Sequence, residues 1–229
     1  MKIFAIADLH FDYKKEKPMD IFGENWINHE EKIINNWINT VENQDLVLIP
    51  GDISWSLKLD DAINDLVRIE ELPGSKIIGR GNHDYWWSTS SKLESLGFKT
   101  IKFLKNNSFT YDSIVVCGTR GWDSKEEAFE VSNEKIYLRE LNRLKISLDS
   151  AEKNRDKLLV MLHYPPFDNE GNPNDFFSLM KEYRVDTCIY GHLHAEGHKN
   201  IREGFIEGIR VHCVSSDYLD FNLKRIEIL

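Results

Sequence analysis

Several short runs of this sequence are apolar at nearly every position, and nothing else in it constrains the fold as tightly. "DLVLIPG" (45–51), "KLLVMLH" (157–163) and "TCIYGH" (187–192) show no polar/apolar alternation. Strands of this kind are covered on both faces, as in the largely parallel sheets of α/β proteins. Five further runs have strand character: "KIFAIAD" (2–8), "SKIIGRG" (75–81), "SIVVCGT" (113–119), "IRVHCVS" (209–215) and "LKRIEIL" (223–229). Between them the apolar residues change to a helical period. Trp26, Ile33, Trp37 and Val41 keep it, as do Leu59, Ala62, Ile63 and Leu66, then Tyr137, Leu141, Leu144, Leu148 and Ala151. Ser124 and Glu127 have the spacing of a capping box for the last of these helices, and Ser132-Asn133 is a point where it can break. The loops "KKEKPMDIFGEN" and "YPPFDNEGNPND" are rich in Pro, Gly, Asn and Asp. The pattern is α/β, with a late stretch richer in strand than in helix.

The chain has 229 residues and no Pro/Gly/Ser-rich linker, repeat or low-complexity tract, so a single domain over 1–229 is expected. A hydrophobic content of 41% supplies a substantial core. The net charge is −9, and no basic block interrupts it. Binding to nucleic acid is therefore disfavoured, as is binding to an anionic membrane surface. Cys117, Cys188 and Cys213 are odd in number and lie in apolar runs, which suits buried free thiols in a reducing compartment. No stretch approaches the roughly 20 apolar residues of a membrane span, and the first residues lack a signal-peptide pattern. The expectation is a cytoplasmic protein.

Polar residues stand where the strands end. The first run ends in Asp8-Leu9-His10 and the second in Gly51-Asp52. The third leads into Gly81-Asn82-His83-Asp84, "LLVML" ends at His163, and "TCIY" runs into Gly191-His192-Leu193-His194. Ligands of open α/β sheets bind outside the carboxyl ends of the strands, so residues far apart in sequence converge there. Five of the eight histidines occupy these places. Singly, Asp-x-His and Gly-Asp read most simply as turns, and Gly-Asn-His-Asp and Gly-His-x-His suit a turn and a site equally; the ordered set does not read as turns.

Imidazole and carboxylate without thiolate suit Mn, Fe, Co, Ni or Zn, and argue against a structural zinc site. Asp8, His10, Asp52 and His194 could hold one divalent ion, and Asp52, Asn82, His163 and His192 a second. Asp52 could bridge them, because a carboxylate has two oxygens with free lone pairs. Such a pocket is cationic within an acidic protein, and it calls for an anion with several oxygens, such as phosphate.

In this order the motifs resemble the calcineurin-like metallophosphoesterase superfamily, from Asp8 to His194. The resemblance implies a four-layer α/β/β/α sandwich of two mixed β-sheets with helices outside. It also implies two divalent ions, manganese favoured, and hydrolysis of a small phosphomonoester or phosphodiester by a metal-bridging hydroxide. On this reading His83 faces the substrate and assists the leaving group, while Asp84 orients His83 and favours its protonated form. Departures narrow the choice. Trp55 stands where purple acid phosphatases have a ligating Tyr, and "GDISWSLKLD" lacks the Arg of protein Ser/Thr phosphatases. Lipid A-type pyrophosphohydrolases tend to have Arg at the place of His83. The sequence resembles the small bacterial predicted phosphohydrolases, a group defined more by fold than by substrate.

Arg120, in "GTRGW", is a candidate for binding a phosphate oxygen, with a surface ion pair as the alternative and Arg80 as second choice. Tyr85, Trp86, Trp87, Trp55 and Trp122 flank the motifs; core packing is their simpler role, stacking on a substrate the other. Tyr164 and Phe167 are candidates for the pocket rim, and His29, His198 and His212 read as solvated or satisfied histidines. Specificity is expected in loops 11–25, 120–133 and 164–175. A scaffold that has lost catalysis would lack ligands, and no ligand position is missing. A nuclease would want a basic groove, which the charge does not supply.

Overall fold

In the computed structural model, which describes residues 1–123, 131–152 and 155–228, the all-apolar runs form the centres of two mixed sheets. The strands of the first are β1 (Ile3–Ala5), β2 (Leu46–Ile49), β3 (Ser75–Ile78), β4 (Ile101–Phe103) and β11 (Lys224–Ile226). The second contains β5 (Phe109–Tyr111), β6 (Ile114–Thr119), β7 (Lys157–Leu162), β8 (Thr187–Tyr190), β9 (Gly204–Ile206) and β10 (Ile209–Cys213). Their orders are β11-β1-β2-β3-β4 and β5-β6-β7-β8-β10-β9. β1 to β4 are mutually parallel, as are β6, β7, β8 and β10, and the antiparallel pairs lie at the edges.

The absence of alternation follows from three layers of core. Ile3, Ala5, Leu46, Leu48 and Ile77 meet Val116, Leu159, Met161 and Ile189 between the sheets. The neighbouring residues Phe4, Val47, Ile49 and Ile78 turn outward onto Ile33 and Trp37 of α1 (His29–Thr40) and Ala62, Leu66 and Ile69 of α2 (Leu59–Glu70). On the other side Val115, Cys117, Val160, Cys188 and Tyr190 pack on α4 (Val131–Asp149) and α5 (Asp175–Glu182). Each such side chain gains about 1.5–3 kcal/mol by full burial, so both faces of every central strand had to be apolar. The result is the four-layer α/β/β/α sandwich.

Three short strands, β4, β5 and β9, and the helices α3 (Ser90–Glu94) and α5 carry too few periodic residues to stand out in the sequence. α4 runs through Ser132-Asn133 without the expected break, and the candidate capping box at Ser124 and Glu127 lies outside the described residues. The cysteines are free and buried. A buried lysine inside β3 has a specific task. Lys76 is fully buried, and its Nζ donates to the carbonyls of Glu70, at 3.2 Å, and Leu72, and to Thr100 Oγ1 at 3.1 Å. It thereby satisfies carbonyls left open at the end of α2. No helix of the described residues is long and apolar enough to cross a membrane.

Candidate metal centre

The polar residues that follow β1, β2, β3, β7 and β8 meet at one edge of the sandwich. Their backbone is strained in a consistent way: Asp8, His10, Asp52 and His192 have φ of 61°, 47°, 54° and 75°. Non-glycine residues held in this left-handed region cost about 1–3 kcal/mol each and persist only where the surroundings over-determine them. Two motif glycines permit the approach of chains. A Cβ on Gly81 would come within 2.0 Å of Asp52 Oδ1, and one on Gly191 within 2.7 Å of Asp8 Oδ2.

Among the described residues two groups bring donor atoms within 4.8 Å of one another: Asp8, His10 and His194, and Asp8, Asp52 and His163. Asp8 is common to both, and Asp52 Oδ2, in the second, also reaches towards the first: it is 3.8 Å from His10 Nε2 and 3.5 Å from His163 Nε2. Asp8 Oδ1 is 3.6 Å from His194 Nε2 and 3.8 Å from His163 Nδ1. Asn82 Oδ1 stands 2.6 Å from His163 Nε2 and 3.0 Å from His192 Nδ1. All seven residues expected to ligate therefore converge.

The donor set fits a cation. His163 Nδ1 is 3.0 Å from the Pro50 carbonyl, which can only accept, so the ring proton belongs there and Nε2 offers a lone pair. That lone pair faces the amide oxygen of Asn82, another acceptor, and His194 Nε2 is a buried nitrogen without a hydrogen-bond partner. Burial pushes His163 down to about 3 and His192 to about 4, and His10 well below its ordinary range. Metal ligation needs neutral imidazoles, which these three are, whereas His194 is held protonated beside Asp8 and Asp217 and would give up that proton to a cation. Burial, then the charges of Asp84 and Asp8, push Asp52 well above the carboxylate range, a repulsion that cations would relieve.

Asp84 corrects the sequence-based expectation. Its carboxylate accepts the backbone N–H of Gly81 at 2.7 Å, Asp52 and Ile53 at 2.9 Å, Ser54 at 3.4 Å, and Trp86 Nε1 at 2.9 Å. It ties the turn after β2 to the turn after β3 rather than orienting the His83 ring. Burial, the largest influence, pushes the half-buried His83 imidazole below its ordinary range, against the protonated form expected. The His83 ring instead sits 4.6 Å from the Trp55 ring and 5.7 Å from that of His10, while its N–H donates to Asp52 Oδ1 at 2.8 Å.

Asp217 is a residue the motifs missed. Its Oδ1 accepts from His194 Nδ1 at 2.8 Å, and its Oδ2 from the Ala195 N–H at 3.2 Å. His198 Nε2 lies 3.1 Å from the same Oδ2, so this histidine belongs to the surroundings of the site. Burial works against the His194 imidazolium, but the charge of Asp8 and the bond to Asp217 prevail and raise it to about 10. The signal was in the sequence: "IRVHCVSSD" is a further apolar run that ends in a carboxylate.

The other candidates fall on both sides. Arg120 is neither free nor on the surface: its guanidinium, 10% exposed, lies 3.5 Å from Glu140 Oε1 and stacks 4.3 Å above Trp122. Trp86 is buried, Trp55 and Trp87 pack against the first core, and Trp122 against the second, whereas Tyr85 is exposed. Phe167 belongs to the second core; Tyr164 is buried with its ring 4.1 Å from that of His192. His29 is satisfied by the His10 carbonyl at 3.2 Å.

Comparisons with known proteins show likeness in fold and in family. A phosphopantetheinyl hydrolase from Mycobacterium tuberculosis superposes with a TM-score of 0.61 at 13% identity, covering 98% of this chain and 95% of its own. A protein of unknown function from Aquifex aeolicus gives 0.51 at 16% identity, with 98% and 95% covered. At such identities the likeness is one of fold. An uncharacterized protein of Methanocaldococcus jannaschii is 29% identical over 103 residues, which are 43% of this chain and 55% of that relative's length. The family model for calcineurin-like phosphoesterases matches residues 1–196, which include every residue of the five strand-end motifs, and the chain belongs to that family.

Proposed function

We propose that this protein is a dinuclear metal-dependent phosphohydrolase that acts on a small phosphomonoester or phosphodiester. The observation that carries this reading is the position of Asp52 Oδ2, 3.8 Å from His10 Nε2 and 3.5 Å from His163 Nε2. One carboxylate oxygen between two nitrogen-donor groups is what a bridging ligand requires. Asp8, His10, Asp52 and His194 would hold one ion, and Asp52, Asn82, His163 and His192 the other, manganese being favoured. When bound, two such ions polarise a phosphoryl group and lower the pKa of coordinated water towards about 7.

The chain's own residues supply the rest. The Pro50 carbonyl and Asp217 fix the tautomers of His163 and His194, so that each presents its Nε2 inward. Asp84 holds Asp52 in its strained turn through four backbone amides. His83, half-buried at the edge of the centre, delivers a proton to the departing oxygen, and the negative charge of a bound phosphoester raises its proton affinity. The net charge of −9 favours a small ester over nucleic acid, and three buried free thiols suit the cytoplasm.

Metal analysis and turnover test the proposal together. Chelation should abolish hydrolysis of p-nitrophenyl phosphate or its bis-ester, and Mn²⁺ should restore it. Asp52→Asn should lose nearly all activity and at least one of two bound metals. Wild-type turnover with two metals in that variant would remove the bridge. A protein that binds no stoichiometric metal would be a scaffold, and salt-dependent binding of DNA would favour a nuclease.

A further inference from the structure

Beside the metal centre the two sheets and α4 line a half-open cavity of about 370 Å³ whose chemistry the centre does not use. Four cations line it: Arg80, Lys105, Arg120 and Arg143. They come from four segments, the ends of β3, β4 and β6 and the middle of α4. Among the described residues a single lining carboxylate, Glu140, answers them, and it is already shared. Glu140 accepts from Thr119 Oγ1 at 2.7 Å and from Arg143 Nη1 at 2.6 Å, and lies 3.5 Å from Arg120 Nη2 and 3.6 Å from Arg139 Nη2. The Nε atoms of Arg80 and Arg120 are buried without a hydrogen-bond partner. A buried guanidinium N–H without an acceptor is costly, so among the described residues the cavity holds more cationic donors than acceptor oxygens. Its walls are continuous with the centre. Arg80 is two residues before Asn82, and the Arg120 carbonyl accepts the N–H of His163 at 3.0 Å and of Tyr164 at 2.9 Å.

We propose that this cavity receives a second anionic group of the substrate, a phosphate or carboxylate, while the scissile phosphoryl group lies at the metal centre. The planar forks of Arg80, Arg120 and Arg143 match the oxygens of such a group, and Lys105 adds a further charge. This inference rests on the phosphohydrolase reading and narrows its substrate class to esters that carry an additional anion.

The test uses the Mn²⁺-loaded full chain with AMP and its p-nitrophenyl ester, each with and without a 3′-phosphate. The wild type should prefer the member with the extra phosphate by about tenfold or more in kcat/KM. Arg143→Gln and Lys105→Gln should each cut that preference several-fold; both sit on accessible positions, and Lys105→Gln leaves the Glu140 cluster intact. No preference in the wild type, or an equal fall for both members of a pair, overturns the proposal. A second measurement separates it from the reading beneath. Inorganic phosphate titrated calorimetrically into the chelated full chain should bind, and bind more weakly in both variants. If no ester is hydrolysed but this binding holds, the phosphohydrolase reading fails and the anion pocket stands. If phosphate does not bind, or the variants bind it equally well, the pocket fails whatever the turnover.

Discussion

His194 donates from Nδ1 to Asp217 Oδ1 across 2.8 Å, a bond between the turn after β8 and the turn after β10. It leaves His194 Nε2 aimed at Asp8 Oδ1, 3.6 Å away. Partners of this kind set the tautomer and basicity of a ligating imidazole, and their loss typically costs about 10–100-fold in metal affinity. Asp217→Asn should weaken binding of at least one metal by that order, with the fold intact. A titration against a competing chelator measures it; wild-type affinity in the variant would remove Asp217 from the site.

His83→Ala should keep the full metal content, because its backbone rather than its ring touches Asp52. The loss should grow with the basicity of the leaving group, towards about 10²–10⁴-fold for alkyl esters. p-Nitrophenolate departs unprotonated, so the variant should lose far less with that ester. kcat/KM over a series of aryl and alkyl esters decides. A uniform loss would assign His83 to the phosphoryl oxygens, and loss of a metal would make it a ligand.

Asp84→Asn should behave differently. Its two oxygens serve four backbone amides and the Trp86 indole, and an amide can offer one oxygen where the carboxylate offered two. Charged hydrogen bonds are worth about 1.5–3 kcal/mol each, and relief of the repulsion with Asp52 returns part, so a net loss of about 2–4 kcal/mol is expected. Denaturant unfolding of the chelated protein measures this. An unchanged midpoint, or a leaving-group dependence like that of His83→Ala, would restore Asp84 as the partner of His83.

Lys76 gives the stability a dependence on alkaline pH. Burial lowers its ammonium from 10.5 to about 8, with the Glu70 charge opposing. A folded pKa below the unfolded one means that the unfolded chain binds more protons between these values. Stability from this group is therefore fully present above about 10.5 and is lost as pH falls through about 8. Relative to Lys76→Met, the wild type should gain stability from pH 8 to 10. A constant difference between the two unfolding midpoints across that window would contradict the burial of the charge.

The sequence by itself determined the layers. Runs apolar at every position demand cover on both faces, and the helical period of Ile33, Trp37, Leu66 and Leu144 states what covers them. It also determined where chemistry collects, because a buried strand that ends in Asp, Asn or His leaves a polar group with no use in the core. Asp217 obeys the same rule at the end of "VHCVSSD", outside the familiar motifs. Only the tertiary structure decided what each polar group faces. Asp84 adjoins His83 in sequence, yet its carboxylate serves amides some 30 residues away, because parallel β2 and β3 bring their carboxyl-end turns together. β4, β5 and β9 exist through pairing with a neighbour rather than through their own pattern. Arg80, Lys105, Arg120 and Arg143 form one cavity only when both sheets and α4 are in place. Periodicity records burial along one strand or helix at a time. Contacts between distant segments depend on strand order and crossing, and the chain states those only when folded.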